Sequence, residues 1–255
     1  MVGSTTKTSR LTMMKAASDD RARSAILSHI ATRLAESGER KQREARVQSW
    51  ADTPPQHPIP AIVQASQQEW INQFIAKAKT AGAELVRLRQ RRDLPDAAAA
   101  IGASQHHDHK SPAGPILLAP GSPHADVTPI PALDWGKAGL STAILDREPF
   151  DDVTIVTEAL AGIAETGSLV LYSGKGMAIT ANFLASHHLV LLHEAMIVPT
   201  LEQGWDCLHQ HRGERLLPRM VNLVTGPSRT GDIEQSIELG AHGPLRLTIF
   251  LYQEP

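Results

Sequence analysis

Thr225-Gly226-Pro227-Ser228-Arg229-Thr230-Gly231-Asp232-Ile233-Glu234, closed by Gly240-Ala241-His242-Gly243-Pro244, is the stretch on which the reading of the fold turns. Apolar residues stand on both sides, Val221 to Val224 before it and Leu245 to Tyr252 after it. The pattern predicts strand, glycine-bearing turn, short helix, glycine–proline turn, strand. Ser228 or Thr230 is placed to cap that helix. Asp232 and Glu234 fall in its first turn, where carboxylates favour the positive end of the dipole. Ile233 and Ile237, four apart, share one face, and Gly240 stands just past the helix end. Backbone donors, two hydroxyls and Arg229 gathered at a helix N-terminus are a recipe for holding an anion.

Working back along the chain, Val153 to Ala164 and Ser168 to Tyr172 flank Glu165-Thr166-Gly167. Two apolar runs around a Thr-Gly pair predict a β-hairpin, with glycine supplying the positive φ. Both faces of the runs are apolar, so the hairpin belongs inside the fold. Glu158 and Glu165 then lie at or beside buried strands, where carboxylates are uncommon. Each is read either as functional or as a solvated turn residue or structural hydrogen-bond acceptor. A helix is expected near Ala178 to Ala185 and a strand over His188 to Leu192, with Met196 to Val198 extending that edge. Pro199-Thr200 then opens a helix over Leu201 to Gln210, with Thr200 as a possible cap. Upstream, a helix over Gln64 to Thr80, a strand over Glu84 to Leu88, a helix over Leu94 to Ile101 and a strand over Pro115 to Leu118 alternate. That alternation predicts an α/β layered domain. Residues 119–134, rich in Pro and Gly, read as a long surface connection.

Residues 1–18 read as a disordered tail, 19–58 as an N-terminal helical arm and 59–255 as the α/β domain. In the arm, Ser18 caps a helix with Ile26, Ile30 and Leu34 on one face, and Pro54-Pro55-Gln56-His57-Pro58 ends it. One narrow apolar stripe needs a partner surface, either the main domain or a second subunit, so a homo-oligomer through the arm is one expectation. The 255-residue chain has a net charge of only -2, which gives no nucleic-acid footprint. No run of about 18 apolar residues suggests a membrane span, and the N-terminus has no apolar signal region. The expected location is cytoplasmic. A single cysteine, Cys207, excludes an intrachain disulfide and an in-chain four-thiolate iron–sulfur cluster. His106, His107 and His109 invite a metal reading, but an exposed polar loop is favoured and no metal site is assigned. His187, His188, His193, His209 and His211 lack a two-histidine pattern tied to a carboxylate.

Three motifs now stand in order: Ile163-Ala164-Glu165-Thr166-Gly167-Ser168-Leu169-Val170-Leu171, Gly226 to Glu234, and Gly240 to Pro244. With them the chain resembles the LutC/YkgG family, lactate utilization protein C, built on the LUD domain. The resemblance is tight from about Asp151 to the C-terminus and looser from about Pro60 to Phe150. Ser168, Gly231 and Ala241 stand where the family usually has Thr, Ala and Val. The resemblance implies a three-layer α/β fold of the NagB/RpiA/CoA-transferase-like type. It also implies a part in NAD-independent oxidation of L-lactate to pyruvate, beside two cysteine-rich iron–sulfur companions. The clusters would then belong to those partners, with no cofactor in this chain; a flavin in the assembly has no fingerprint here.

The residues support three functional readings. In the first, the chain is a non-cluster subunit that binds a small carboxylate. Arg229 pairs the carboxylate, Ser228, Thr230 and Asp232 complete the cradle with Thr166 and Gly167, and His242 serves as proton carrier or polar wall. In the second, it is a stand-alone acyl-transfer enzyme with Glu165 as nucleophile. In the third, it is an anion-binding sensor or scaffold. The first reading also expects the Glu165 hairpin and the Arg229 turn to face one cleft.

Overall fold

The computed structural model describes residues 20–34, 40–53, 59–105, 116–124, 127–145, 153–177, 179–212, 217–231, 237–240 and 242–254. The tail over 1–18, the histidines His106, His107 and His109, and Asp232 lie outside the described residues. The chain divides into two compact units, Met1–Pro58 and Ile59–Pro255. In the first, helix α1 covers residues 20–34 and helix α2 covers Arg40–Asp52. Ile26, Ile30 and Leu34 are exposed along α1.

The second unit opens with helix α3 (Gln67–Thr80), which starts at a capping box. The Glu69 carboxylate accepts from the Ser66 amide at 2.7 Å, and Ser66 Oγ accepts from the Glu69 amide. Ile71, Phe74 and Ala78 form its buried face, at the spacing of one helical stripe. There follow β1 (Glu84–Arg87), α4 (Leu94–Gln105), β2 (Ile116–Leu118), β3 (Thr142–Ile144), β4 (Thr154–Glu158), β5 (Ala161–Ile163) and β6 (Ser168–Tyr172). The chain continues through α5 (Ala181–Leu184), β7 (His187–His193), β8 (Ile197–Val198), α6 (Leu201–Arg212) and β9 (Val221–Val224). It closes with β10 (Arg229–Gly231), β11 (Ile237–Leu239) and β12 (Arg246–Tyr252).

Six strands form a parallel sheet in the order β1-β12-β7-β4-β2-β3. A second sheet runs β8-β5-β6-β9, and β10 pairs antiparallel with β11. On one face of the parallel sheet, Val156, Leu189, Leu191 and Phe250 meet Leu94 and Ala98 of α4, together with Ile130 and Trp135. On the other, Val190, Leu192, Ile249 and Leu251 meet Phe74 and Ala78 of α3 and Leu169 and Leu171 of the second sheet. The central strands are thus covered on both sides, which is why they read as unbroken apolar runs. This is the layered α/β architecture expected from the sequence.

Several local expectations change. The run from Val153 to Ala164 is two strands in two sheets: the Ala159 amide donates to Leu191, and the next amide, Leu160, donates to Val170. Every residue from Ile155 to Ala164 is buried, so no alternation marks the break. Ile197–Val198 pairs with β5 instead of extending β7. The connection over 119–134 is not confined to the surface, since Ile130 is fully buried against the parallel sheet.

The topology also fixes where the sheet opens. β2 leads outward to β3, whereas β4 leads the other way, toward β7 and β12. The connections leaving the carboxyl ends of the adjacent strands β2 and β4 therefore run in opposite directions, and such a switch point is where open α/β sheets form ligand crevices.

Candidate functional site

Two of the three motif segments meet at the C-terminal end of α3, and the third is bound to the second. Gly167 (φ +73°) turns the β5–β6 hairpin, and a Cβ there would lie 2.4 Å from the Ala78 amide nitrogen. Gly226 (φ +79°) packs its turn so closely that a Cβ would lie 2.3 Å from the Ala81 carbonyl oxygen. Glycine is required at both positions twice over, by backbone conformation and by the absence of space. A hydroxyl chain joins the two turns, Thr166 Oγ1 to Ser168 Oγ at 2.8 Å and Ser168 Oγ to Thr225 Oγ1 at 2.5 Å. The third segment is laced to the second: the Ser228 amide donates to Pro244 at 2.8 Å, and the Gly240 amide donates to Ser228 at 3.0 Å.

Where the sequence predicts the two ends of a short helix after Gly226, the described residues 229–231 and 237–239 are strand. Arg229, Thr230 and Gly231 pair antiparallel with Leu239, Glu238 and Ile237. Physical chemistry favours this outcome, because Thr230 and Ile237 are β-branched and Gly231 weakens a helix start by up to about 1 kcal/mol. Ser228 and Thr230 are therefore not helix caps, and the donors of a helix N-terminus are absent from residues 228–231. Arg229 is exposed, and its Nη2 lies 2.2 Å from where a Cβ on Gly82 would stand. The guanidinium thus rests at the C-terminal end of α3, the end whose dipole favours a cation. His242 is exposed in the turn after β11.

Glu165 is half-buried, and its Oε1 accepts from the Leu201 amide at 3.0 Å, the first residue of α6. The carboxylate thereby satisfies one of the orphan donors of that helix and meets the positive end of its dipole. Thr200, the cap expected from the sequence, accepts from the Gln203 amide at 3.5 Å. Of the residues singled out in the sequence, Thr166, Gly167, Ser228 and Arg229 gather at the end of α3, while the Glu165 carboxylate turns to α6. Ser168, Thr225 and Gly82 complete the cluster without having been assigned a part. The hydroxyls flanking both glycine turns were the available signal; nothing in the sequence marks Gly82.

A second polar assembly lies at the switch point. Arg91 and Glu158, 1% and 0% exposed, form a two-pronged ion pair, with Nη2 to Oε2 at 2.8 Å and Nη1 closing on Oε1. Ser122, in the loop after β2, donates to Glu158 Oε2 at 2.6 Å, and the Tyr252 hydroxyl donates to Oε1 at 3.2 Å. Arg91 Nη1 also donates to the Tyr252 hydroxyl at 3.0 Å, and its Nε donates to the Thr128 carbonyl at 2.7 Å. Burial works against the Arg91 charge, yet the Glu158 carboxylate holds its pKa above the ordinary value. Burial, with Glu158 beside it, pushes Tyr252 up to about 12. Tyr252 meets His193 edge-on at 4.8 Å between ring centroids. Burial, and the charge of His124, lower the His193 pKa, and its Nδ1 accepts from the Ala195 amide at 3.0 Å. The assembly is saturated with hydrogen bonds and ties β2, β4 and β12 together at their carboxyl ends. Glu158, noted in the sequence as an unusual carboxylate, is the structural acceptor at its centre.

Among the described residues no group of three or more His, Cys, Asp or Glu side chains is placed to hold a metal ion. Cys207 is half-buried in α6, and burial, with the Asp206 charge, raises its pKa, so it is a thiol at neutral pH. Among the described residues no helix is long and apolar enough to cross a membrane.

Comparison with known proteins agrees with the motifs. The chain is 34% identical over 100 residues to lactate utilization protein C of Geobacillus sp. (strain WCH70), covering 39% of this chain and 38% of that one. It is 26% identical over 153 residues to lactate utilization protein C of Bacillus subtilis (strain 168), covering 55% and 63% respectively. To the protein YkgG of Escherichia coli (strain K12) it is 33% identical over 101 residues, covering 39% and 43%. In each case it spans less than two thirds of the relative's own length. A crystal structure of a DUF162 family protein from Deinococcus radiodurans aligns with a TM-score of 0.48 and 19% identity, covering 74% of this chain and 99% of that one. The LUD domain family model matches residues 71–252, which include most of α3, both sheets and all three motif segments, and the chain belongs to the LUD domain family.

Proposed function

We propose that the chain serves lactate utilization as a non-cluster component of an NAD-independent assembly that oxidises L-lactate to pyruvate. In this reading it binds a small carboxylate where its motif segments meet, and the iron–sulfur clusters reside on partner proteins. The observation that carries the reading is the convergence of two segments distant in sequence, Thr166–Ser168 and Thr225–Arg229, on one end of α3, with Gly240–Pro244 hydrogen-bonded to the second. The hydroxyl chain and the exposed arginine lie around the same helix end, which supports the reading, and arginine is the side chain best suited to a carboxylate. The names of the curated relatives supply the metabolic setting. One cysteine cannot furnish the four thiolates of a cluster, which is why the clusters are assigned to partners.

The acyl-transfer alternative is weakened by geometry. A nucleophilic Glu165 would attack through Oε2, because its Oε1 is already engaged by the first amide of α6, where the carboxylate serves as a cap. The sensor reading shares the binding step with the proposal and differs only in the absence of chemistry afterwards. Calorimetric titration with L-lactate and pyruvate tests the shared part. Arg229→Ala is expected to weaken binding by at least about tenfold, since a charge-assisted bidentate pair is lost, whereas Glu165→Gln retains it. Native co-purification tests the rest: iron–sulfur proteins are expected to accompany the chain. Unaided turnover of lactate by the purified chain with an artificial acceptor would overturn the subunit role.

A further inference from the structure

We infer that Gly82, which belongs to none of the motifs, is a positioning residue that fixes where the Arg229 guanidinium lies. The inference rests on the proposed carboxylate-binding role of Arg229 for its functional consequence, but not for its structural content. A Cβ on Gly82 would meet Arg229 Nη2 at 2.2 Å, Arg229 Cζ at 3.2 Å and Pro227 Cδ at 3.5 Å. A separation of 2.2 Å is far inside van der Waals contact for carbon and nitrogen, so any side chain at residue 82 moves the guanidinium. The end of a long side chain moves cheaply, and the substitution therefore displaces the arginine head rather than the fold.

The site is built from both directions. The Gly82 amide donates to Lys79 and the Ala81 amide to Lys77, each at 2.9 Å, so residues 79–82 complete the last turn of α3. That turn presents the negative end of the helix dipole, which attracts the guanidinium onto the bare glycine. Gly226, pressed against the Ala81 carbonyl, sets the height of the turn that delivers Arg229. Gly82 thus leaves a seat that its neighbours define.

The φ of +94° at Gly82 favours glycine whatever the seat does, and two controls separate the two effects. Gly139 has φ +73° and no atom within 4 Å of a Cβ, so Gly139→Ala reports backbone strain alone. Asn tolerates the left-handed region better than Ala, so Gly82→Asn fills the seat with less strain.

Wild type, Gly82→Ala, Gly82→Asn, Gly139→Ala and Arg229→Ala are titrated with L-lactate and pyruvate. In parallel, the rate of phenylglyoxal modification at Arg229 is followed by peptide mass spectrometry. Both Gly82 variants are expected to lose binding by at least about tenfold, as Arg229→Ala does, and to modify faster at Arg229 than wild type. Gly139→Ala is expected to match wild type in both readouts, while melting at a temperature as low as that of Gly82→Ala. Wild-type modification rates in both Gly82 variants overturn the inference. Faster modification with no carboxylate binding in any protein, wild type included, upholds the positioning and refutes the proposed function instead.

Discussion

Arg91 and Glu158 show what a single residue can demand of its surroundings. A charge taken wholly out of water costs several kcal/mol unless its partner and remaining hydrogen bonds are supplied. Here Glu158 is served by Arg91, Ser122 and Tyr252, and Arg91 by Glu158, Tyr252 and Thr128. The consequence is asymmetric. Glu158→Leu alone leaves a buried guanidinium without its partner and should destabilise the protein by about 3–5 kcal/mol. The double variant Arg91→Met/Glu158→Leu should recover most of that loss, because apolar side chains of similar volume need no compensation. Urea unfolding of the two variants decides the matter, and a double variant less stable than Glu158→Leu would refute the account. Such a pair is a poor source of net stability; it specifies which strand ends meet at the switch point.

At the scale of elements, α6 depends on a residue from another hairpin. Its first amide is capped by Glu165, which the β5–β6 turn aims across the sheet. Glu165→Ala should cost about 1 kcal/mol, the usual worth of a cap, and Glu165→Gln less, because the amide oxygen still accepts. Thermal melts measure this directly, and an unchanged melting temperature for Glu165→Ala would remove the capping role. The hairpin itself was legible from two apolar runs about a Thr-Gly pair, and α3, β1, α4 and β2 from their alternation. The features that escaped the sequence did so for physical causes. Strand continuity from Val153 to Ala164 hid a change of sheet, since a fully buried run carries no period. The predicted helix after Gly226 relied on cap residues and an i,i+4 isoleucine pair, and β-branched residues with strand partners outweighed both. The motif turns could be named from sequence, but their common platform could not. Residues 77–82 meet them largely through backbone and the space that glycines leave, which carries no chemical signature.

For the molecule as a whole, the histidines of its central parallel strand make folding sensitive to acid. β7 lies between β12 and β4, and it begins with two buried histidines, His187 and His188. Burial, and the positive charge of Arg246, lower His187 to about 4 despite the opposing pull of Glu84. Burial, and the neighbouring His187, lower His188 to about 3. Each is held as a neutral imidazole by a hydroxyl, His187 Nε2 with Thr248 Oγ1 at 2.8 Å and His188 Nε2 with Thr157 Oγ1 at 2.7 Å. The sign comes from proton counts. Above about pH 7 both states hold these rings neutral, and they contribute no pH dependence. As pH falls below about 6.5 the unfolded chain takes up protons that the folded chain refuses, so stability declines. Between there and about pH 4 the two groups together give a slope approaching about 2.7 kcal/mol per pH unit. The lowered His193 acts in the same direction. Urea midpoints measured from pH 5 to 8 should be flat at the alkaline end and fall steeply below pH 6.5. His188→Gln keeps a group able to bond Thr157 but cannot titrate. It carries its own stability cost, so the slope and not the midpoint is the readout. That slope should be shallower than wild type by about 1.4 kcal/mol per pH unit. An unaltered slope would mean that His188 is protonated alike in both states, which a ring sealed inside the central strand of this sheet does not permit.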